Sequence, residues 1–384
     1  MSEQQIREVY LDNSATTKVC EPAVRAAVQV MQTDYGNAAS LHRKGFEAEQ
    51  HITAAKKAIA AVLGCTEQEL YFTSGATESN NMSLIGAADA NKRRGKKIIT
   101  TAIEHASVLE TAAYLERQGY EVVRLQPNAD GQYTPMDFYN AVDEQTVLVS
   151  AMFVNNEIGC SLPVTDIAKA VKRKNPNTLF HTDAVQGFLK LPLKLKNSGI
   201  DLLSASGHKI YAPKGIGLLY IRKGVRLTPL LYGGGQQNGV RVGTDNVPLI
   251  AALGAAVQMG APNMEKNLAH YRSLKAHLLN LLQDMPEITV NSTEDCVPYI
   301  VNLSVAKIRS EVMLHFLEQF GISVSSGSAC SKGAKSHVLS AFGLDDRRID
   351  TALRISFSTE TTTADLDYFA QKLQQGIDTL AKMR

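Results

Sequence analysis

Four short polar segments contain the side chains best suited to catalysis. SGHK ends at Lys209, which follows an apolar run and comes directly after a histidine. HTDAVQ places Asp183 after another apolar run, and EHASV contains His105. The fourth segment, TSGATESNN (73–81), is rich in small residues and precedes a helical pattern that we expect to start near Met82. Each segment alone also fits a structural role, such as a solvated lysine, a helix cap or a core histidine.

Together, the four segments supply the groups that pyridoxal phosphate requires. Small residues at a helix start let backbone N–H groups approach a phosphate, and the helix dipole adds to the attraction. Asp183 would keep the pyridine nitrogen protonated, and Lys209 would bind the cofactor covalently through its amine. A lysine bound in this way is no ordinary buried ammonium. The combination therefore predicts a pyridoxal phosphate site.

Seven short apolar runs alternate with amphipathic stretches in the first two thirds of the chain. The runs are 69–73, 96–101, 121–125, 146–153, 178–182, 201–206 and 215–221. Such strands separated by helices are typical of an α/β fold with a mostly parallel sheet covered on both faces. Ligands bind such sheets at the carboxyl ends of the strands, which is where the polar segments begin.

A domain boundary is expected near residue 260. After it, Leu268, Tyr271, Leu274, Leu278 and Leu281 recur at helical spacing, which predicts a long amphipathic helix. Strand patterns at 299–305 and 353–358 follow. We expect a large cofactor-binding domain over 16–260, and a small α/β domain formed by 1–15 with 261–384.

Composition excludes several classes of function. The net charge of +2 gives no footprint for nucleic acid or a membrane surface. The five cysteines are odd in number and contain no C-x-x-C pair, so we expect neither a disulfide framework nor a metal site. The N-terminal sequence lacks a signal-peptide pattern, and no run approaches about 20 apolar residues. These features predict a cytoplasmic protein.

Motifs along nearly the whole chain resemble the cysteine desulfurases, which are fold type I (aspartate-aminotransferase-like) pyridoxal phosphate enzymes. The motifs are YLDNSATT (10–17), FTSGATESNN (72–81), EHASV (104–108), VNNEIG (154–159), HTDAVQ (181–186), SGHK (206–209), GGGQQNGVRVGTDN (233–246), SSGSAC (325–330) and LRISFS (353–358). Their number and order make the resemblance specific.

The resemblance implies a role for each matching residue in cofactor binding. Lys209 would carry the cofactor, His105 would stack on its ring, and Asp183 would bind the pyridine nitrogen. The residues implied to contact the ring and its phenolic oxygen are Asn156 and Gln186. Those implied to bind phosphate are Ala76, Thr77, Ser206, His208 and, from the partner subunit of a homodimer, Thr244.

The resemblance also implies the reaction. Arg354 would hold the carboxylate of L-cysteine, Lys209 would remove the α-proton, and His105 would shuttle protons. The thiolate of Cys330 would take the substrate sulfur as a persulfide, leaving L-alanine. The residues around Cys330 support this role, because the segment 324–337 is small, polar and flanked by lysines, which favours an exposed thiolate. Cys20, Cys65, Cys160 and Cys296 lie in contexts that suit small buried hydrophobes.

Two departures from the family pattern concern partners. Val242 stands where the family usually has Ser or Thr, and the segment after Cys330 is shorter than in the housekeeping iron–sulfur members. A shorter segment limits reach. We therefore expect the sulfur-acceptor protein to dock close to the site, as in subgroups that serve tRNA thiolation rather than general iron–sulfur cluster supply. Lys332 and Lys335 would attract an acidic acceptor surface.

Three alternatives stay open on the sequence alone. An aminotransferase on the same fold would release a keto acid, and a selenocysteine lyase would prefer selenocysteine to cysteine. A non-catalytic sulfur-transfer scaffold would bind partners without turnover. Retention of Lys209, Asp183, His105, Arg354 and Cys330 together favours the desulfurase.

Overall fold

The computed structural model describes residues 7–128, 130–326 and 335–380. The chain divides into two compact units. The larger unit comprises Lys18–Val154 and Leu162–Met264, and the smaller comprises Met1–Thr17, Asn155–Ser161 and Glu265–Arg384. Residues 155–161, which the expected boundaries place in the large domain, therefore lie in the smaller unit.

The larger unit contains a seven-stranded sheet. Numbered in chain order, its strands are β2 (Leu70–Thr73), β3 (Lys97–Thr101), β4 (Glu121–Leu125), β5 (Thr146–Ser150), β6 (Leu179–Asp183), β7 (Leu202–Ser206) and β8 (Gly217–Ile221). The spatial order is β2-β8-β7-β6-β5-β3-β4. Only β8 runs antiparallel to its neighbours, so the other six strands end at the same edge. Every residue of β5 to β8 is buried, which explains their near-continuous apolar sequence.

Helices surround this sheet in the alternating order that the sequence predicts. They are α1 (Glu21–Gln32), α2 (Arg43–Leu63), α3 (Ala76–Asn91), α4 (Ala106–Arg117), α5 (Pro135–Ala141), α6 (Val164–Lys174) and α7 (Val247–Gly260). Short 3₁₀ turns cover Glu67–Glu69, Gly207–Lys209 and Gln236–Gly239. The amphipathic stretch 164–174 is α6, whose apolar side is buried and whose last turn is basic. The expected mostly parallel α/β architecture is confirmed.

All seven predicted strands exist, with differences at their ends. The run 146–153 leaves regular strand geometry after Ser150, although the Ala151 and Phe153 N–H groups still donate to His181 and Asp183 carbonyls. Asp183 itself is the last residue of β6 rather than the first residue beyond the strand. Apolar character alone therefore does not set these strand ends, because buried chain continues past the regular ladder.

The smaller unit is built on antiparallel pairing. Its strands are β1 (Val9–Tyr10), β9 (Ile288–Val290), β10 (Ile300–Val305), β11 (Ile322–Ser323), β12 (Ser325–Ser326) and β13 (Ala352–Ser356). Four of them form a sheet in the order β12-β13-β10-β9, and β1 pairs in parallel with β11. Its helices are α8 (Met264–Leu282), α9 (Ser310–Glu318), α10 (His337–Ala341), α11 (Asp346–Asp350) and α12 (Thr363–Thr379).

One stretch of the described chain, Val247–Leu282, has the length and composition of a candidate membrane span, with a window mean hydropathy of 1.2. It consists of α7, a 3₁₀ turn over Ala261–Asn263, and α8. Eight residues of α7 are buried, and α7 packs on α1 and α2 within the larger unit. The α7 part of the stretch is therefore a core helix of that unit.

Gly217 controls how closely β8 approaches the start of α3. A Cβ at this position would lie 2.5 Å from the Cα of Gly75 and 2.7 Å from the Oγ1 of Thr73. We expect Gly217→Ala to destabilise the chain by about 1–3 kcal/mol, because backbone must move to admit the methyl group. Chemical denaturation measures the effect.

The matched control is Gly235→Ala, since a Cβ there would meet no atom of the described chain within 4 Å. This control should change stability by less than about 1 kcal/mol. Equal stabilities for the two variants would contradict the close approach at Gly217.

Candidate active site

The N-terminus of α3 follows β2 at the carboxyl edge of the sheet. The helix begins at Ala76, six residues before the start expected near Met82, so that expectation is wrong. Its first turns contain small polar residues that carry no apolar period, yet Ser79 is completely buried. Burial is possible because the Ser79 Oγ bonds to Thr73 Oγ1 at 2.8 Å and donates to the Leu218 carbonyl at 3.0 Å.

The first backbone N–H groups of α3 point out of the helix. The first helical bond is from the Ser79 N–H to the Gly75 carbonyl, so the N–H groups of Ala76 and Thr77 have no helical acceptor. A Cβ built on Gly75 would meet no described atom within 4 Å, so the described chain leaves space beside this residue. Such a helix start can bind an anion.

Ser206 lies near the same helix start. It is the last residue of β7 and pairs with Gly217, which in turn pairs with Thr73 at the end of β2. Because Gly217 also approaches Gly75, the Ser206 position and the start of α3 flank the same end of β8. Two of the predicted phosphate-binding segments are thus brought together.

Lys209 ends the 3₁₀ turn that follows β7. The turn begins at Gly207, whose N–H donates to the Ile216 carbonyl at 2.9 Å and whose Cβ position lies 2.8 Å from the Ile216 side chain. Burial, followed by the positive charges of Lys209, Lys214 and Lys190, lowers the pKa of the neighbouring His208 to about 4. His208 is therefore neutral at physiological pH, beside a cluster of cations.

A buried hydrogen-bond network joins β6, α3 and α4. The Nδ2 of Asn80 lies 2.8 Å from Asp183 Oδ2 and 2.8 Å from Ser107 Oγ. Ser107 Oγ lies 2.9 Å from the Nδ1 of His105, which is the N-cap of α4. The second oxygen of Asp183 accepts from the Val185 N–H at 3.0 Å. The structure thereby connects Asp183 and His105.

His105 is exposed on this chain, in contrast to Asp183 and Asn80. It lines a cleft of about 560 Å³ between α3 and α4, together with Thr77 and Ser107. The imidazole is therefore accessible from this cleft, and Ser107 holds its Nδ1.

Glu104 is a second buried carboxyl group beside this network. Its Oε1 accepts from Thr101 Oγ1 at 2.9 Å and from the Met152 N–H at 2.8 Å. Burial, followed by the negative charge of Asp183, raises the pKa of Glu104 to about 8. Glu104 is therefore mainly a neutral acid at physiological pH.

Gln186 is buried beside a buried lysine. The Nζ of Lys190 lies 3.4 Å from the Oε1 of Gln186, one helical turn earlier in the chain. Lys190 is only 9% exposed, so its ammonium contributes a positive charge inside the larger unit. The sequence analysis did not identify this lysine, which stands among apolar residues in GFLKLP.

Thr244 lies on the exposed side of the glycine-rich segment after β8. Its neighbour Val242 is buried, 3.3 Å from the Cβ position of Gly233. Arg241 donates to Glu78 of α3 at 2.8 Å, which ties the segment to that helix. Val242 is thus a buried apolar side chain at the position where the family usually has a hydroxyl group.

Arg354 and Asn156 belong to the smaller unit. The Arg354 Nη1 donates to the Asn156 carbonyl at 2.9 Å, and Nη2 donates to Asp12 Oδ1 at 2.8 Å. The Nε–H of Arg354 is buried and has no acceptor among the residues that the structure describes. The guanidinium is thus oriented by two partners and keeps an unsatisfied donor.

Cys330 lies outside the described residues, as does Lys332. Burial raises the pKa of Cys65 to about 12, and it also raises the pKa values of Cys160 and Cys296. These three thiols are therefore protonated and poor nucleophiles. Lys335 forms an exposed 2.6 Å ion pair with Asp346, so its charge is already partly compensated.

Three residues of the larger unit were missed by sequence reasoning, namely Asn80, Glu104 and Ser107. All three stand inside quoted motifs, next to residues that were recognised. These residues could have been recognised because each is polar in a part of the chain whose neighbouring helices and strands are apolar. Only the fold shows that they are buried together.

Glu104 makes the stability of the cofactor-free chain depend on pH. The group is neutral in the folded chain up to about pH 8 but ionises near its ordinary pKa of 4.5 when unfolded. Stability should therefore fall as pH rises from about 4.5 to 8. We expect Glu104→Gln, which mimics the neutral acid, to remove this fall, a gain on the order of 1–3 kcal/mol at pH 8.

Urea unfolding between pH 5 and 8 measures this difference. Glu110→Gln on the exposed side of α4 is the control and should follow the wild type. If the stabilities of the wild type and of Glu104→Gln change in parallel with pH, Glu104 is not neutral in the folded chain.

Comparisons with known proteins identify the family of the chain. The family model for aminotransferase class-V matches residues 9–369. Cysteine desulfurase IscS of Methanosarcina thermophila is 40% identical over 380 residues, which cover 98% of this chain and 94% of that protein. A putative cysteine desulfurase, IscS 1 of Bacillus subtilis strain 168, is 39% identical over 93% of this chain and 95% of that protein.

Solved structures give the same result. A NifS-like protein matches with a TM-score of 0.92 at 37% identity, covering 97% of this chain and 100% of that one. SspA in complex with cysteine matches with a TM-score of 0.81 at 32% identity, covering 91% of this chain and 98% of that one. The chain therefore belongs to the aminotransferase class-V family and, within it, to the cysteine desulfurases.

Proposed function

We propose that this chain is a pyridoxal-phosphate-dependent cysteine desulfurase that converts L-cysteine to L-alanine and retains the sulfur as a persulfide on Cys330. The observation that carries the proposal is the set of groups that follow the carboxyl ends of four strands. An open helix N-terminus follows β2, an imidazole follows β3, a buried carboxylate ends β6, and Lys209 follows β7. Membership of the cysteine desulfurases indicates the reaction that these four groups would serve.

The residues present fit the cofactor. The phosphate would be held by Ser206, His208 and the open N–H groups of Ala76 and Thr77. His208 suits this role because its neutral ring can donate a hydrogen bond, and because lysine charges surround it. Asp183 offers a buried carboxylate for the ring nitrogen, and His105 offers an accessible ring for stacking. Gln186 and Asn156 would contact the ring and its phenolic oxygen.

When bound, pyridoxal phosphate draws electrons away from the α-carbon of the amino acid and so makes the α-proton removable. Lys209 would first hold the cofactor covalently and then, once displaced by the substrate amine, accept that proton at Nζ. His105 would serve as a second group for proton transfer, because imidazole titrates near neutrality.

Arg354 would bind the substrate carboxylate. Its guanidinium presents a planar fork that matches a carboxylate in two parallel hydrogen bonds. Asp12 and the Asn156 carbonyl fix the orientation of that fork, and the Nε–H is a buried donor that an incoming carboxylate would satisfy.

Cys330 would perform the sulfur transfer. Its thiolate attacks the substrate sulfur, a sulfur–sulfur bond forms, and the substrate carbon–sulfur bond breaks with its electron pair left on carbon. One proton delivered to that carbon, and the return of the α-proton from Lys209 to the α-carbon, complete L-alanine. Three of the other four cysteines are unsuited to this step, because burial keeps their thiols protonated.

The assembly, location and sulfur acceptor are further parts of the proposal. A homodimer would let Thr244, exposed on the single chain, contact the phosphate of the partner subunit. The enzyme would act in the cytoplasm and pass its sulfur to an acceptor protein for tRNA thiolation or iron–sulfur cluster assembly. The short segment after Cys330 favours an acceptor that docks close to the site.

The cofactor-loaded protein should release L-alanine from L-cysteine in the presence of a reductant. We expect Lys209→Ala to lose the visible cofactor band and turnover, because the covalent attachment and the base are both gone. Cys330→Ser should keep the band and lose almost all alanine release, because only the sulfur acceptor is removed.

Chromatographic quantification of alanine tests both variants, with Cys65→Ser as the matched control. That control should retain wild-type turnover, because its thiol is protonated and outside the proposed site. Wild-type alanine release by Cys330→Ser, or keto-acid release by the wild type, would refute the proposed reaction.

Asp12 should affect substrate binding through Arg354. Asp12→Asn removes the charge that orients the guanidinium, so we expect KM for L-cysteine to rise about tenfold or more. Affinity for pyridoxal phosphate should stay unchanged, which equilibrium titration of the cofactor-free chain measures. Asp346→Asn, in an exposed ion pair, is the control and should leave KM at the wild-type value. An unchanged KM in Asp12→Asn would remove Arg354 from the proposed substrate site.

A further inference from the structure

Asn80 is a buried amide whose two hydrogens have two different acceptors. The side chain is completely buried in the second turn of α3. Its Nδ2 lies 2.8 Å from Asp183 Oδ2 and 2.8 Å from Ser107 Oγ. An ionised carboxylate only accepts hydrogen bonds, so the atom that faces Asp183 has to be the amide nitrogen. The orientation of the Asn80 amide is therefore fixed by chemistry.

The second amide hydrogen of Asn80 determines the hydrogen-bond role of the Ser107 hydroxyl. Because Ser107 Oγ accepts from Asn80, its own hydrogen is available for His105 Nδ1, 2.9 Å away. The Ser107 backbone N–H donates to the same Nδ1 at 3.1 Å. A backbone N–H cannot accept, so Nδ1 is unprotonated and Nε2 carries the proton of the neutral ring. The donors run in one direction, from Asn80 through Ser107 to His105.

Asn80 carries an unsatisfied group of its own. Its Oδ1 is buried without a partner in the described part of the chain. A buried acceptor left unpaired costs about 1–3 kcal/mol, which an apolar side chain would avoid. Stability alone therefore does not explain an amide at this position, whereas its two donated bonds do.

We infer that Asn80 is a positioning residue that orients both Asp183 and His105 through its two donated hydrogen bonds. One N–H donates to the Asp183 carboxylate, and the other donates to the Ser107 hydroxyl and so directs that hydroxyl to His105 Nδ1. What Asp183 and His105 then do for the cofactor rests on the proposed function. The network itself depends only on the hydrogen bonds among α3, β6 and α4.

Two substitutions separate the hydrogen bond to Asp183 (the Asp183 arm) from the path through Ser107 to His105 (the His105 arm). In Asn80→Asp both donors are lost, a second negative charge faces Asp183, and the Ser107 hydroxyl turns to the new carboxylate. We expect the Kd of the cofactor-free chain for pyridoxal phosphate to rise at least tenfold. Ser107→Ala removes only the His105 arm, so its Kd should stay within about threefold of wild type. Asn91→Asp, at the other end of α3, is the matched control and should leave Kd unchanged.

The second readout is the ¹⁵N resonance of His105 Nδ1 in the cofactor-free chain. In Asn80→Asp and in Ser107→Ala, Nδ1 loses the same hydroxyl donor, so its resonance should shift in the same direction, toward that of a free unprotonated nitrogen. Asn91→Asp should show no shift. A general loss of stability would not produce equal shifts together with unequal cofactor affinities.

Asn80→Ala, which removes the donors without adding charge, replaces Asn80→Asp in the affinity measurement if that variant fails to fold, and Ser107→Ala then carries the resonance measurement. An unchanged Nδ1 resonance in Ser107→Ala or in Asn80→Asp, or an unchanged Kd in the Asn80 variant, would overturn the inference. Neither readout uses L-cysteine. A wild type that binds pyridoxal phosphate and shows these shifts without releasing alanine would therefore refute the proposed function and leave the inference standing.

Discussion

A carboxyl group that is almost completely removed from water ends β6, and the surrounding elements are arranged to supply its hydrogen-bond donors. Each oxygen of Asp183 accepts a hydrogen bond, one from Asn80 and one from the Val185 N–H. The adjacent buried acid, Glu104, stays neutral and so adds no second negative charge. Without these donors, the buried carboxyl oxygens would lack hydrogen-bond partners, which is costly inside a protein.

The position of α3 follows from the same constraint. Asn80 reaches Asp183 only if the helix starts close to the end of β2, and the missing side chain of Gly217 allows that approach. The same start presents the open N–H groups of Ala76 and Thr77 at the carboxyl edge of the sheet. One helix therefore serves the proposed phosphate site with its first turn and Asp183 with its second.

The sheet could be predicted from the sequence because strands buried on both faces are apolar throughout. Lys209 and Asp183 could be located because each is a charged residue that follows an apolar run. The sequence misplaced the start of α3, since Ser79 and Asn80 look exposed when polarity is taken as a guide to solvent. Their burial depends on partners more than 20 residues away, such as Ser107, Asp183 and Leu218. Periodicity along one segment carries no information about hydrogen bonds between segments. The role of Cys330 stays a prediction, because that residue lies outside the described chain.

A single turnover with ³⁵S-labelled L-cysteine tests the central claim most directly. The cofactor-loaded enzyme would be mixed with a slight excess of substrate without reductant, and its peptides would then be mapped for label alongside the alanine released. The account predicts one label per alanine, confined to the peptide that contains Cys330 and removable by a thiol. Alanine without bound label, or label on the peptides of Cys65, Cys160 or Cys296, would contradict it.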